Sequence, residues 1–209
     1  DGLYSAAFVW LNGQYVGYTQ GGNNDAEFDL TAYLRTGENN ISVQVFRWSD
    51  GSYLEGQDMF HMSGLHRDVY LYATPAVAVR DHYITAALTA PSYTSGTLSV
   101  AMTLDNRERR AGTKQVEVAL ISPEGETVAT QTASVDYTAA DLKKDFSVEI
   151  PVSGLTLWTA ETPVLYTVAI RQMNESDAEE MAFSTRYGFR DVRISDGVVL
   201  INGKRVFFK

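Results

Sequence analysis

The 209-residue sequence predicts an all-β fold made of two domains. Runs of alternating apolar and polar residues recur along the chain, and 16 glycines and 5 prolines are spread between them as turn signals. A hydrophobic content of 44% is enough for a sizeable core in a chain of this length. No apolar run approaches the ~20 residues of a membrane span, so we expect no membrane partner.

The first strand signals lie in residues 1–74. Ala7–Tyr18 predicts a hairpin around Asn12-Gly13, a pair that tolerates positive φ at both central positions of a type I′ turn. Ile41–Trp48 predicts a further strand, and Val69–Tyr72 predicts the last strand of the domain. The boundary is expected at Thr74-Pro75, because proline cannot donate a hydrogen bond to a strand ladder.

The second domain is expected over residues 75–187, where strands and turn signals alternate regularly. An antiparallel, immunoglobulin-like β-sandwich follows from this spacing. The chain has no cysteine, so the core must hold by burial alone, and Trp158 is expected to pack rather than to bind a ligand. The seven predicted strands are Val79–Thr89, Gly96–Asn106, Lys114–Ser122, Thr127–Tyr137, Lys144–Ile150, Val164–Met173 and Glu179–Thr185.

A second Asn-Gly signal lies in the tail, residues 188–209. Val198–Ile201 and Arg205–Phe208 flank Asn202-Gly203 and predict another hairpin.

Composition excludes several functions. A net charge of −9 disfavours nucleic acid, since binding phosphates needs a basic surface. Three histidines without ligand spacing disfavour a catalytic metal, and no nucleophile elbow or phosphate-binding loop is present. Acidic pairs such as Glu55 and Asp58 are interpreted as solvated charges. The compartment stays open between cytoplasm and periplasm.

The segment Arg47–Tyr70 is the most distinctive, because it combines charge, aromatics, methionine and histidine. Its motifs RWSDGSYLE, QDM and SGLHRDVYL follow EFDLTAYLRTGEN, and LWTAETPVLY, YGFRDVRI and LINGKRVFFK come later in the chain. Together these closely resemble the large bacterial β-galactosidases of glycoside hydrolase family 2.

The resemblance implies an organisation. Residues 1–74 would be the C-terminal part of a jelly-roll (galactose-binding-like) sugar-binding domain, and residues 75–187 the immunoglobulin-like domain. Residues 188–209 would be lead-in strands to a (β/α)₈ catalytic barrel that this sequence does not contain.

The resemblance also implies a function. The chain would be a non-catalytic N-terminal fragment of a retaining enzyme that hydrolyses terminal β-D-galactosides, with no catalytic residue of its own. Its partners would be the galactoside, its own catalytic barrel and further copies in a homo-oligomer. Two alternatives stay open, a related β-glucuronidase or β-mannosidase and a stand-alone carbohydrate-binding or adhesive β-sandwich module.

One site residue follows from the resemblance. The aspartate of RWSDGS, which is Asp50, would bind substrate and ligate a sodium ion. The alternative is an ordinary Asp-Gly turn in which the carboxylate bonds its own backbone. Magnesium would belong to the barrel, and no cofactor is expected in the fragment. Met59, Phe60, Met62 and Leu65 are expected to form an exposed apolar surface that the barrel covers.

Overall fold

The computed structural model describes residues 2–22 and 24–207 and confirms the all-β fold. The chain divides into two compact units, Asp1–Tyr72 and Ala73–Lys209. Among the described residues, no helix is long and apolar enough to span a membrane.

The first unit is built on a three-stranded antiparallel sheet of order β3-β2-β4, and β1 pairs with β5 in a separate ribbon. A 3-10 helix occupies Thr31–Tyr33. The elements are β1 (Leu3–Tyr4), β2 (Ala6–Leu11), β3 (Gln14–Gln20), β4 (Ile41–Phe46), α1 (Asp50–Leu54) and β5 (Gly64–Leu65).

The predicted first hairpin is confirmed. Asn12 and Gly13 both have positive φ, 54° and 79°, as a type I′ turn requires. The Asn12 side chain also ties the turn to the loop before β4. Its Nδ2 donates to the Tyr33 carbonyl (3.0 Å) and to Asn39 Oδ1 (2.8 Å), and its Oδ1 accepts from the Asn40 N–H (3.0 Å).

The two faces of this sheet differ because side chains alternate along a strand. Ala7, Val9 and Leu11 of β2 are buried on one face. The other face is aromatic, with Phe8 and Trp10 of β2 beside Tyr15, Tyr18 and Phe46 of the neighbouring strands.

The prediction of a strand over Val69–Tyr72 is wrong. This segment is irregular, and all four of its side chains are more than half exposed. Alternation alone does not make a strand, because a strand also needs a neighbouring strand with which its backbone groups can form a ladder.

The second unit is a two-sheet, immunoglobulin-like sandwich, as predicted. Strand order is β10-β7-β6 in one sheet and β12-β11-β8-β9 in the other, and every pair is antiparallel. The strands are β6 (Val77–Leu88), β7 (Gly96–Asn106), β8 (Gly112–Ile121), β9 (Thr127–Tyr137), β10 (Lys143–Val152), β11 (Tyr166–Met173) and β12 (Glu179–Tyr187).

The core lies between these sheets and is formed by the inward residues of each strand. Tyr166 is 4% exposed and packs edge-on against Phe189 at 5.1 Å, while its hydroxyl accepts from the Thr156 N–H at 3.0 Å. Fully buried members are Leu98, Val100, Leu104, Val116, Val118, Leu120, Val168, Ile170 and Phe189.

A buried amide joins the start of β6 to the opposite sheet. Gln172, 1% exposed, accepts from the Val79 N–H (2.9 Å) and donates to the Val77 carbonyl (2.7 Å). Its Nε2 also donates to Glu180 (2.6 Å), which pairs with Lys114. The amide therefore bonds backbone groups of β6, where the strand register shifts after Val79.

The tail forms a small antiparallel sheet of β13 (Val192–Ser195), β14 (Val198–Ile201) and β15 (Lys204–Arg205). Asn202, at φ 51°, makes the predicted turn. Its Nδ2 donates to the Trp158 carbonyl (3.1 Å), its Oδ1 accepts from the Asp191 N–H (2.9 Å), and its own N–H donates to the Asp191 carbonyl (2.8 Å). Phe208, predicted to end this hairpin, lies outside the described residues.

Trp158 packs, as predicted, but it lies outside the core. Its ring covers Gly188, where a Cβ would come within 2.8 Å of it. The Arg190 guanidinium lies over the same ring, 4.4 Å from its centroid. Trp158 therefore packs the loop in which it lies against residues 188–190.

Candidate functional site

A pocket of about 460 Å³ opens in the first unit where β4 ends and α1 begins. Asp50 lies in its wall. The lining residues are Ala6, Phe8, Tyr18, Phe46, Trp48, Ser49 and Asp50.

Asp50 is the first residue of α1, so the structure places it in a short helix rather than in an isolated turn. Its Oδ1 accepts the Gly51 N–H at 3.0 Å, which is the local backbone bond expected of an Asp-Gly pair. Ser49 is extended and donates its N–H to Ser52 Oγ at 3.1 Å, which fixes the entry into the helix. The Asp50 side chain remains exposed to solvent.

Glycine follows Asp50 because the chain passes close to β3 at this point. A Cβ on the buried Gly51 would lie 3.1 Å from Gln20 Nε2. Gln20 in turn accepts from the Tyr18 hydroxyl at 2.5 Å. The start of α1, and with it Asp50, therefore lies close to the Gln20 side chain of β3.

Aromatic side chains form the rest of the pocket wall. Phe8 lies 4.9 Å from Tyr18 and 5.6 Å from Phe46, ring centroid to centroid. Trp48 is 57% exposed and stacks on Tyr53 at 6.2 Å. A carboxylate beside apolar ring surface is the usual composition of a small-molecule site, where polar groups orient the ligand and rings supply contact area.

Reasoning from the sequence identified Asp50 but missed this wall. Phe8, Tyr18 and Phe46 come from three different strands, and only the strand register brings them together. The sequence did carry one sign of the wall, because aromatic residues alternate with other residues along β2 and β3. Both strands belong to the predicted first hairpin.

The segment after α1 carries the predicted exposed apolar residues. Met59, Phe60, Met62 and Leu65 are 39%, 91%, 70% and 44% exposed. We call these four residues the apolar surface of the first unit.

Titratable groups elsewhere have structural partners. The Tyr4 hydroxyl lies 2.9 Å from His61 Nδ1, and the His82 ring packs on Phe183 at 5.3 Å. Hydrogen bonds from the backbone N–H and hydroxyl of Thr138 lower the pKa of Asp141. The hydrogen bonds from Arg193 lower the pKa of Asp191.

Acidic and histidine side chains are the candidates for grouping around a possible metal ion in the part of the chain that the structure describes. Across residues 2–22 and 24–207, no three His, Asp or Glu side chains are grouped closely enough to hold an ion. Asp50 can supply a carboxylate oxygen, which is a suitable donor for a hard cation.

Residues 1–75 match the model of the sugar binding domain of glycosyl hydrolases family 2, and residues 77–190 match a second model of glycosyl hydrolases family 2. The chain belongs to glycosyl hydrolase family 2. The resemblance found in the sequence motifs is thereby confirmed.

Family 2 relatives match along the whole chain. A β-galactosidase of Priestia megaterium (strain DSM 319 / IMG 1521) is 37% identical over 210 residues, which cover 100% of this chain and 20% of that protein. Other curated relatives with 38% and 39% identity carry the same name. The chain spans about a fifth of the length of the curated relatives it matches.

Solved family 2 structures share the fold. A glycosyl hydrolase family 2 member from Bacteroides cellulosilyticus DSM 14838 superposes with a TM-score of 0.88 at 24% identity, over 98% of this chain and 28% of that one. A β-glucuronidase of Bifidobacterium dentium complexed with coumarin-3-O-glucuronide gives a TM-score of 0.78 at 28% identity, over 100% of this chain and 38% of that one.

Proposed function

We propose that this chain is the non-catalytic N-terminal region of a retaining β-galactosidase that hydrolyses terminal β-D-galactosides. The observation that carries the proposal is the end-to-end match with proteins named β-galactosidase, over a chain that belongs to the family. The pocket around Asp50 supports it, because it offers a carboxylate and aromatic surface to a sugar.

Catalysis itself requires parts that we assign elsewhere in the enzyme. A retaining glycosidase uses two carboxylic acids about 5–5.5 Å apart, one as nucleophile and one as acid/base. We place both in the (β/α)₈ barrel of the parent protein, along with its magnesium. The isolated 209-residue chain should therefore be inactive, and aryl β-galactoside turnover that is lost on mutation within this chain would contradict that assignment.

Asp50 has two roles in this proposal. Its carboxylate would accept a hydrogen bond from a galactosyl hydroxyl, and it would provide one oxygen ligand to a sodium ion whose other ligands lie beyond residues 1–209. The ring of Trp48, which is more than half exposed, would cover an apolar C–H surface of the sugar.

A β-glucuronidase is the second candidate within the family, because β-glucuronidases are among the similar structures. Glucuronide carries a carboxylate that galactoside lacks. The anionic Asp50 would repel that carboxylate, whereas it can hydrogen-bond to the hydroxyls of either sugar. The pocket therefore favours the uncharged galactoside.

A panel of substrates tests the proposal directly. The natural reading frame that contains this chain should be expressed and assayed with matched aryl β-galactoside, β-glucuronide and β-mannoside. We expect kcat/KM to be highest for the galactoside. Preference for the glucuronide would select the second candidate, and inactivity on every glycoside would favour a carbohydrate-binding or adhesive module.

A further inference from the structure

The second unit contains a separate polar pocket of about 290 Å³ at one end of its sandwich. The β7–β8 turn, the ends of β8 and β9, the turn after β11 and the residues leading into β6 form its walls. No feature of the proposed hydrolysis uses it.

Tyr137 lines this pocket and also belongs to the buried core of the sandwich. The residue is only 7% exposed, and it faces Gly112, where a Cβ would come within 2.7 Å of the hydroxyl oxygen. Within residues 2–22 and 24–207 the hydroxyl has no hydrogen-bond partner, and its oxygen is still reached by solvent. A solvent-accessible hydroxyl at the end of a mostly buried ring is available for a ligand or for water.

Lys114 provides a second donor at the base of the pocket. It is 8% exposed and pairs with Glu180. An ammonium group has three N–H donors, and Glu180 accepts from one of them. A ligand oxygen could therefore accept from Lys114 without breaking the ion pair.

The rim is held in place before any ligand arrives. Buried Asn106 donates to the carbonyls of Arg110 (2.8 Å) and Thr138 (3.0 Å) and accepts from the Arg110 N–H (3.1 Å). This fixes the turn that carries Glu108 and Arg110, which pair with each other at the mouth. Such preorganisation lowers the entropy cost of binding.

Most of the charges in the lining are already paired with one another. Lys114 with Glu180 and Arg110 with Glu108 cancel in pairs, and Glu175 adds a further negative charge at the edge. An anion would meet three carboxylates, and a cation would meet the Lys114 ammonium at the base. An uncharged ligand that can both donate and accept hydrogen bonds meets neither cost.

Size and apolar surface complete the description of the ligand. Pockets for drug-sized ligands span roughly 300–1,000 Å³, so this one suits a smaller molecule. Pro75, Val77 and Ala111 line one side and could cover C–H groups. We propose that this pocket binds a small uncharged polyol of monosaccharide size, at a site distinct from the one containing Asp50.

Amide spectra of the isotope-labelled 209-residue chain test the proposal by titration. The uncharged probes are galactose, glucose and myo-inositol, and the charged probes are sodium phosphate and ethanolamine. We expect saturable shifts at Lys114, Tyr137, Glu175 and Glu180 with at least one uncharged probe and not with the charged ones. Shifts confined to the first unit, saturation by a charged probe alone, or no saturation would overturn it.

Variants show whether the pocket itself is responsible. Tyr137→Phe keeps the ring and removes only the hydroxyl, so affinity should fall about three- to tenfold. Glu175→Ala removes an exposed acceptor and gives a second reading should Tyr137→Phe fail to fold. Tyr83→Phe and Glu149→Ala alter exposed residues away from the pocket and should leave affinity unchanged. Equal affinity in all four variants would refute the site.

Discussion

Asp50 is held by its own backbone, and this limits how it can act. One carboxylate oxygen already accepts the Gly51 N–H, so a ligand or ion would be met mainly by the other. The turn chemistry that sequence reasoning offered as the alternative is therefore present in the structure. It does not compete with binding, because it orients the carboxylate beside the aromatic wall.

Replacing Asp50 by Asn in the full-length enzyme should weaken galactoside binding and the response to sodium while preserving the fold. The change removes the charge with little change of shape, and a lost charge-assisted hydrogen bond costs about 1.5–3 kcal/mol. Steady-state kinetics across a sodium series would measure it. Asp25→Asn, an exposed acid of the same unit that does not line the pocket, is the control, and equal kinetics in both variants would return Asp50 to a turn residue.

Residues with local signals were predictable, and residues defined by long-range pairing were not. The turns at Asn12 and Asn202 were predictable because positive φ depends on only one or two adjacent residues. The aromatic wall requires the register of three strands, and Trp158 packs on Gly188, thirty positions away in the sequence. No window of adjacent residues contains that information.

At the scale of elements, alternation predicted the second unit well because its strands find partners within the chain. β7 and β9 have the predicted bounds, Gly96–Asn106 and Thr127–Tyr137. Val69–Tyr72 is also apolar in composition, but it joins no strand ladder in the described part of the chain and is irregular. Strand formation is thus decided by the neighbour as much as by the segment.

Gln172 should be required for the junction between β6 and the opposite sheet. Gln172→Met keeps the length of the side chain but leaves the Val77 carbonyl and Val79 N–H buried without their partner. Unsatisfied buried groups cost about 1–3 kcal/mol each, so the two groups together should lower the free energy of unfolding by about 2–6 kcal/mol. Denaturant unfolding would measure it, with Gln131→Met on the exposed part of β9 as control. A loss no larger than the control's would contradict the role.

The turn between β9 and β10 should make stability depend on pH. The pKa of Asp141 is lowered in the folded chain by its hydrogen bonds to Thr138, so its ionised form stabilises the fold above the unfolded pKa of ~3.9. That contribution is lost as pH falls through the lower, folded pKa. Unfolding curves between about pH 5 and pH 2 should show a shallower decline for Asp141→Asn than for the parent chain. A decline of the same slope, as expected for the control Glu149→Gln, would count against it.

For the whole molecule, the apolar surface of the first unit is the feature that we expect to cause self-association. Phe60 is 91% exposed and Met62 is 70% exposed, and large apolar side chains that lie exposed near one another in the sequence favour association. We expect the 209-residue chain to self-associate as its concentration rises. Sedimentation of the double variant Phe60→Ser/Met62→Ser should show less association, whereas Tyr83→Ser in the second unit should not. A parent chain that stays monomeric at high concentration would contradict this.

The two Asn-Gly turns also affect how fast the protein is expected to deamidate during storage. Asparagine before glycine can lose its amide when the following backbone nitrogen attacks the side-chain carbonyl and expels ammonia. Water then opens the resulting cyclic imide to aspartate or isoaspartate. In the folded chain the amides of Asn12 and Asn202 are already held by hydrogen bonds on both the oxygen and the nitrogen. Those bonds must break before ring closure, so deamidation at both turns should proceed chiefly from the unfolded chain. Peptide masses after storage, folded against denatured, would show the difference.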